Sequence, residues 1–587
     1  MFEDDEDELQ AVTDYGQDVL TGVRPANKYE ILAIQRHVDD LARQNTEAFP
    51  YVFDDEKARR AIQFIEKLPH VKGHWAALRG KAANIHLEGW QRFIIAMLFG
   101  WVHAETGLRK YRIAYICVPR KNGKSILAAA IGLYMLVADG EYGAEVYCGA
   151  TSEKQAWEVF RPALKMVHRT PALQKRFGLS AHAKRLERDG IGRKRLPDNS
   201  IEPVMPDGSR FEPVIGKPGD GASPSCAILD EVHEHDDDVL YDTMLTGMGA
   251  RLHALLLMIT TAGSSINGPC YATQCDVQDM LDGKASKQND ELFGIIYTVD
   301  KEDIESGAWQ TEQALIKANP NYGISVGPDF LKARIREAVT SPRKQNITKT
   351  KHLNIWVTAK AAWLNMLEWN ACADPSLKMD DFAGESAALG ADLSSTDDLT
   401  ATVKCFRREV DGLDHYYFFG RYYCTEFKAQ EIPMYSGWVH EGYLCETDGN
   451  SIDYQLIEDH VAEDAEKFVI EQCFFDPHGA SHLAQRLEQQ CQIEAVKVAQ
   501  NYTNYSAPMR DFERLLKLGR IHHDGNPCLT WMMGNVVAKQ TEDGKMMRPI
   551  KENPESKIDG AVALLTAFIK AYEPEVDDGS DQTFVEI

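Results

Sequence analysis

Residues Tyr111 to Ser125 constrain the fold more than any other stretch of the chain. An apolar run, Tyr111–Val118, leads into the turn Pro119-Arg120-Lys121-Asn122. The turn opens through Gly123-Lys124-Ser125 on Ile126–Val137, whose composition predicts a helix. Strand, turn and helix in that order fit a parallel sheet covered by helices. A helix that begins on Gly-Lys-Ser also presents unpaired backbone N–H groups to an anion. In such a phosphate-binding loop Lys124 reaches the β- and γ-phosphates of a nucleotide and the Ser125 hydroxyl ligates Mg²⁺. The usual pattern, G-x-x-x-x-G-K-[ST], asks for glycine at position 118, where this chain has Val118. Gly-Lys-Ser alone equally fits an ordinary strand–helix turn with an exposed lysine.

Two later segments fit the same chemistry. Cys226-Ala227-Ile228-Leu229-Asp230-Glu231 is an apolar strand ending on two carboxylates, 106 residues beyond Lys124. In a nucleotide hydrolase the first acid, Asp230, holds the Mg²⁺ shell, and the second, Glu231, orients and deprotonates the attacking water. The third segment is Leu255–Thr260 followed by Thr261-Ala262-Gly263. Hydroxyls at the C-terminal end of a strand in an open α/β sheet lie beside the nucleotide crevice.

Taken together, Pro119–Ser125, Ile228–Glu231 and Thr260–Gly263 resemble the ATPase motor of the large terminase subunits of tailed double-stranded DNA bacteriophages. That family commonly lacks the first loop glycine, so Val118 fits it better than a generic phosphate-binding loop. The resemblance implies an ATP site made by Arg120, Lys121, Asn122, Gly123, Lys124, Ser125 and Asp230. Arg120 would act as a finger on the γ-phosphate, and Thr260 and Thr261 would couple hydrolysis to movement. Leu87-Glu88-Gly89-Trp90-Gln91 is similar to the family's adenine-binding motif, and Gln91 has the donor and acceptor to read an adenine edge. An exposed amide on an amphipathic helix accounts for Gln91 equally well.

A different pattern begins near Ala387. Strand-like runs at Ala388–Leu393, Thr400–Phe406 and Tyr416–Tyr423 precede alternating helices and strands, which end in an apolar helix from Asp559 to about Ala571. Asp392 and Asp476 end two of the strands, and Asp559 opens the last helix. Each alone fits a turn or a helix cap. Their order across strand, strand and last helix resembles the RNase H-like nuclease of large terminases. The resemblance implies that the three acids hold two Mg²⁺ or Mn²⁺ ions and cut a phosphodiester. Asp397 and Asp398 rank below them as further ligands, and His478 as a proton donor.

The expected architecture is therefore α/β: a P-loop ATPase with a mostly parallel sheet, followed by an RNase H-like nuclease domain. Expected boundaries are an acidic disordered tail over 1–27, helices and ATPase over 28–285, a connecting subdomain over 286–385, the nuclease over 386–572 and a second acidic tail over 573–587. The net charge of −25 argues against a nucleic-acid partner, but fourteen of the acids fall in residues 3–18 and 573–587, which carry no Lys or Arg. A DNA surface must then be local. Lys332, Arg334, Arg336, Arg343, Lys344, Lys349 and Lys351 form the densest basic stretch, and Lys184–Arg195 a shorter one. His233-Glu234-His235 follows Glu231 directly and reads as a mobile polar loop rather than a metal cluster. The twelve cysteines, scattered without a metal-ligand spacing, read as reduced thiols.

No apolar stretch is long enough to span a bilayer and the N-terminus lacks a signal peptide, so the expectation is a host-cytoplasmic protein with no membrane partner. The resemblance implies double-stranded DNA, a small terminase subunit and the portal protein of the procapsid as partners, with a homo-oligomeric ring on the portal. Two other readings stay open at this point. One is a cellular helicase-like DNA translocase with an attached nuclease. The other is an ATPase assembly protein whose RNase H-like domain is a catalytically silent scaffold.

Overall fold

Leu255–Thr260 is apolar at every position but the last, the composition of a strand covered on both faces. In the computed structural model it lies inside a six-stranded sheet whose neighbouring strands are all parallel. The structure describes residues 8–572 apart from 178–189, 196–199, 216–220, 236, 266–267, 286–288, 358–362, 394–398, 477–485, 542–543 and 552–555. The chain divides into two units, Met1–Val357 and Thr358–Ile587.

The sheet of the first unit contains β1 (Ile113–Cys117), β2 (Glu145–Ala150), β3 (Arg210–Ile215), β4 (Cys226–Asp230), β5 (Leu255–Thr260) and β6 (Leu292–Ile296), in the order β6-β1-β5-β4-β2-β3. The turn after β1 and the acids after β4 thus flank the end of β5, all at the C-terminal edge of the sheet. Helices α1 (Glu8–Leu20), α2 (Lys28–Arg43), α3 (Gly89–Gly100), α4 (Lys124–Val137), α5 (Glu153–Arg169), α6 (Pro328–Thr340) and α7 (Pro342–His352) belong to the same unit. α4 is buried along most of its length, and its Gly132 lies where a Cβ would come within 2.9 Å of the Phe211 ring on β3.

Two expected boundaries are corrected. Residues 8–20 are not a solvated tail: α1 buries Val12, Tyr15 and Val19, one stripe at helical spacing, and Tyr15 packs on Gly89 at the start of α3. Asp14 and Asp18 lie exposed between those positions, which is why composition alone misreads the segment. Nor do residues 286–357 form a separate connector. The short run Leu292–Ile296 is fully buried as β6 and pairs with β1, and the unit continues to Val357. The C-terminal acidic stretch and Asp397, Asp398, His478 and Lys184–Arg188 lie outside the described residues.

In the second unit, α8 (Met366–Ala371) precedes β7 (Ala387–Asp392), β8 (Thr400–Val410) and β9 (Leu413–Thr425), which form an antiparallel meander. The chain then adds β10 (Cys445–Thr447), α9 (Tyr454–Lys467), β11 (Gln472–Phe475), β12 (Glu494–Lys497), α10 (Tyr502–Lys517), β13 (Ile521–His523), α11 (Pro527–Asn535), the hairpin β14 (Val536–Gln540) and β15 (Met547–Lys551), and α12 (Asp559–Ala571). The sheet order is β10-β9-β8-β7-β11-β12, with β13 also paired to β9. One face packs Leu389, Ala391, Phe406, Phe419 and Phe475 against Ile457 and Val461 of α9. The other is covered by α12, whose backbone comes so close that a Cβ on Gly390 would lie 2.1 Å from the Ala563 carbonyl oxygen.

Candidate active sites

Gly123 and Lys121 both have positive φ, 88° and 74°, and these two residues turn the chain from β1 into α4. The turn is braced from behind by a part of the chain that the sequence placed in a connector. Asn122, fully buried, donates from Nδ2 to Pro119 O (3.1 Å) and Asn319 Oδ1 (3.0 Å), and its Oδ1 accepts from Asn321 N (3.0 Å). Ser325 donates to Lys121 O at 2.7 Å, and Trp90 Nε1 donates to Asn321 Oδ1 at 2.7 Å. This polar network holds the loop in shape, and Asn321 and Ser325 also form part of the adjoining cavity wall.

The loop opens on a cavity of about 1090 Å³ whose wall includes Gln91, Arg120, Lys121, Gly123, Lys124, Ser125, Asp230 and Glu231. Lys124 is buried and its Nζ donates to Val118 O at 2.9 Å, so the ammonium folds back on its own loop. Burial lowers its pKa, against the pull of Glu231 and Asp230. Asp230 is pushed up to about 7 by burial and then by the neighbouring Glu231. Asp230 and Glu231 thus crowd together beside the buried Lys124 ammonium, with the Ser125 hydroxyl on the same wall. Such a set fits a divalent cation with phosphate oxygens, which would relieve the crowded negative charge. Glu231 has left-handed backbone angles (φ 50°, ψ 47°), strain on the order of 1–3 kcal/mol that active sites characteristically hold.

Several expected nucleotide contacts lie elsewhere. Asn122, Thr260 and Thr261 are buried behind the cavity wall rather than on it. Gln91 is on the wall, but its Oε1 accepts the Glu88 N–H at 3.0 Å in a capping box, which leaves Nε2 beside Gly123 as its free edge. His233 is not on a mobile loop. Its side chain is 3% exposed, and Nδ1 stands 3.2 Å from Glu231 Oε2 and 3.1 Å from Thr260 Oγ1. Nothing in the sequence near His233 signals that burial, which comes from β5 and from Lys351 of α7, whose Nζ is 2.9 Å from His233 Nε2. The basic stretch of α6 and α7 is likewise not a free track. Lys349 lies over the Trp309 ring, the Lys351 ammonium meets His233, and Lys332, Arg334 and Lys344 pair with Glu312 or Glu337.

In the second unit, β7 and β11 pair in parallel with Ala391 opposite Phe475, so Asp392 and Asp476 follow at adjoining strand ends. Alternation turns both toward the face covered by α10 and α12, where Tyr505 senses both charges. Asp559 opens α12. Its neighbour Gly560 packs against the Tyr422 ring, and Tyr422 shares a cross-strand row with Ala401 and Asp392. The three aspartates therefore sit at one end of the sheet. Among the described residues no three His, Cys, Asp or Glu side chains are gathered tightly enough to ligate one ion. The pair Asp392–Asp476, hard oxygen donors on neighbouring strands, is the part that fits a Mg²⁺ or Mn²⁺ ion. The cysteines are free thiols, and no described helix is long and apolar enough to cross a membrane.

A family model described as the ATPase domain of the terminase large subunit matches residues 89–278, and one described as its endonuclease domain matches residues 286–575. Protein YmfN of Escherichia coli (strain K12) is 43% identical over 371 residues, 61% of this chain and 80% of that protein. The terminase large subunit of Enterobacteria phage HK97 is 26% identical over 479 residues, 80% of this chain and 88% of that one. Among solved structures, the HK97 bacteriophage large terminase aligns over 88% of this chain and 100% of that chain, with 23% identity and a TM-score of 0.42.

Proposed function

The chain belongs to the terminase large subunits and carries their ATPase and nuclease domains; from that premise we propose that it hydrolyses ATP to drive double-stranded DNA into a phage procapsid and cuts concatemeric DNA at a second site. The observation that supports the motor half best is the convergence of Lys124, Ser125, Asp230 and Glu231 on one cavity. Lys124 exchanges the Val118 carbonyl for the β- and γ-phosphates, while the N–H groups at the start of α4 hold the phosphate oxygens. Arg120, exposed at the rim, swings onto the γ-phosphate, and Glu231 takes the proton of the attacking water. Mg²⁺, held by Ser125 and Asp230, supplies charge neutralisation at the phosphates when bound. In the nuclease, Asp392 and Asp476 hold the metal ions, with Asp559 as the third acid. A ring of subunits on the portal, with a small terminase subunit choosing the DNA, completes the proposal.

Two variants of the full chain test both halves. Lys124→Ala is expected to abolish ATP turnover, and with it ATP-dependent uptake of DNA into procapsids, while leaving Mn²⁺-dependent nicking of plasmid DNA intact. Asp392→Ala is expected to do the reverse for turnover and nicking. ATP turnover that survives Lys124→Ala would mean that the loop is misassigned. Nicking that is absent from the native chain, or indifferent to Asp392→Ala, would make the second unit a silent scaffold.

A further inference from the structure

α7 ends at the catalytic pocket and touches it twice. The Lys351 carbonyl accepts the Arg120 N–H at 3.0 Å, and the Lys351 ammonium lies 2.9 Å from His233 Nε2. On the other edge of the same ring, Nδ1 is 3.2 Å from Glu231 Oε2. Lys351, His233 and Glu231 thus form a continuous line from the last helix of the first unit to the proposed base.

The proton positions along this line follow from the donors available. An ammonium has only protons to give, so His233 Nε2 must accept from Lys351. Thr260 gives its single hydroxyl proton to Thr261 O, at 2.9 Å, so Thr260 Oγ1 can only accept from the imidazole that stands 3.1 Å away. Both neighbours therefore place the imidazole proton on Nδ1, aimed at Thr260 Oγ1, with Glu231 Oε2 in ion contact at 3.2 Å from the same nitrogen. A histidine's second nitrogen is set by the partner of the first, and here that partner is a lysine. The middle of the line is closed to water, with the His233 side chain 3% exposed, while Lys351 is half-buried.

We propose that Lys351 is a positioning residue for ATP hydrolysis, fixing through the His233 tautomer the polar edge that the imidazole turns to the Glu231 carboxylate 3.2 Å away. The proposal rests on the reading of this cavity as an ATPase site. Lys351 is not among the residues that line the cavity; it acts on turnover through His233. Two features support a functional role over a filling one. Lys351 is half-buried with its ammonium turned inward onto His233, which desolvates a charge that an apolar side chain would not carry. Its two contacts also join the two parts of the site, the loop at Arg120 and the base at Glu231.

The test compares steady-state ATP turnover with binding of a non-hydrolysable ATP analogue in the full-length protein. Lys351→Met is expected to lower kcat by about tenfold to a hundredfold, the range for lost outer-shell positioning, with analogue affinity changed less than about twofold. Lys351→Arg, which keeps a cation in reach of Nε2, is expected to recover a large part of kcat and to show that loss in the Met variant is not misfolding. His233→Asn keeps a donor at the Nδ1 position but removes the acceptor for Lys351. In that background Lys351→Met is expected to cost nothing further. An unchanged kcat in Lys351→Met overturns the proposal, as does a raised KM at constant kcat or additive effects of the two substitutions. If the native chain turns over no ATP, or Lys124→Ala leaves turnover intact, the ATPase reading itself has failed, a result distinct from these.

Discussion

Glu30 is a carboxylic acid on α2 with no exposed surface. Tyr15 of α1 donates to it at 2.7 Å, Tyr297 lies beyond at 3.1 Å from the Tyr15 hydroxyl, and Arg24 approaches at 3.5 Å. Burial pushes its pKa from 4.5 up to about 7, with Arg24 and the Tyr15 hydrogen bond opposing. The folded state then binds this proton more tightly than the unfolded state, so its contribution is fully present below pH 4.5 and is lost as pH rises through about 7. The loss is of order 3 kcal/mol for a shift of this size. Glu30→Gln keeps an acceptor for Tyr15 and removes the charge. It is expected to match the native chain in Tm near pH 5 and to exceed it at pH 8, by several degrees if the first unit unfolds two-state. Parallel Tm curves for the two proteins across that range would show that Glu30 is ionised throughout. The same residue marks a limit of sequence reading. A glutamate three residues into a predicted amphipathic helix looks solvated, and only the return of β6 and α1 over it, from 282 residues apart in the Tyr15–Tyr297 contact, makes it buried.

At the scale of elements, the strands that carry the sites were legible because each is a local, apolar run with a chemical end. Leu255–Thr260 coincides with β5, and the run Cys226–Glu231 exceeds β4 by one residue. What stayed hidden depends on partners distant in sequence: β6 as a member of the first sheet, the Asn319–Asn321 brace, and the contact of Lys351 with His233. The two sites differed for the same reason. Lys124, Asp230 and Glu231 lie in motifs, whereas the meeting of Asp392, Asp476 and Asp559 depends on how α12 crosses the second sheet. Gly390 controls that crossing. Any side chain there meets helix backbone, with Ala563 O at 2.1 Å and Ala567 N at 2.6 Å from a Cβ, so α12 must lift rather than a rotamer shift. Gly390→Ala is expected to destabilise the second unit by about 3 kcal/mol, the upper part of the range for overpacking, and to suppress nicking while ATP turnover persists. A variant with native Tm and native nicking would mean that the α12 contact on β7 is not made.

For the whole molecule, the decisive question is where the nuclease begins. Sequence pattern starts it at residue 386, with the first strand, but the chain divides at residue 358. Trp369 of α8 has no exposed surface and stacks on His523 at 4.0 Å between ring centroids, while His523 Nε2 meets Trp369 O at 3.0 Å. Trp363 N donates to Val536 O at 2.8 Å, and Phe382 is buried against Phe406, Tyr417 and Phe419. A fragment that starts at residue 386 therefore lacks three large core side chains. Each truncation of a buried Phe or Trp costs about 3–5 kcal/mol, against a typical domain stability of about 5–15 kcal/mol. Fragment 358–587 is accordingly expected to unfold in one cooperative transition and to nick plasmid DNA with Mn²⁺. Fragment 386–587 is expected to lose its near-ultraviolet circular dichroism and its cooperativity, and to be inactive for want of a fold rather than want of acids. Equal stability of the two fragments would place residues 358–385 outside the nuclease core. Inactivity of a cooperatively folded 358–587 fragment would instead mean that the two aspartates on β7 and β11 do not suffice for cutting.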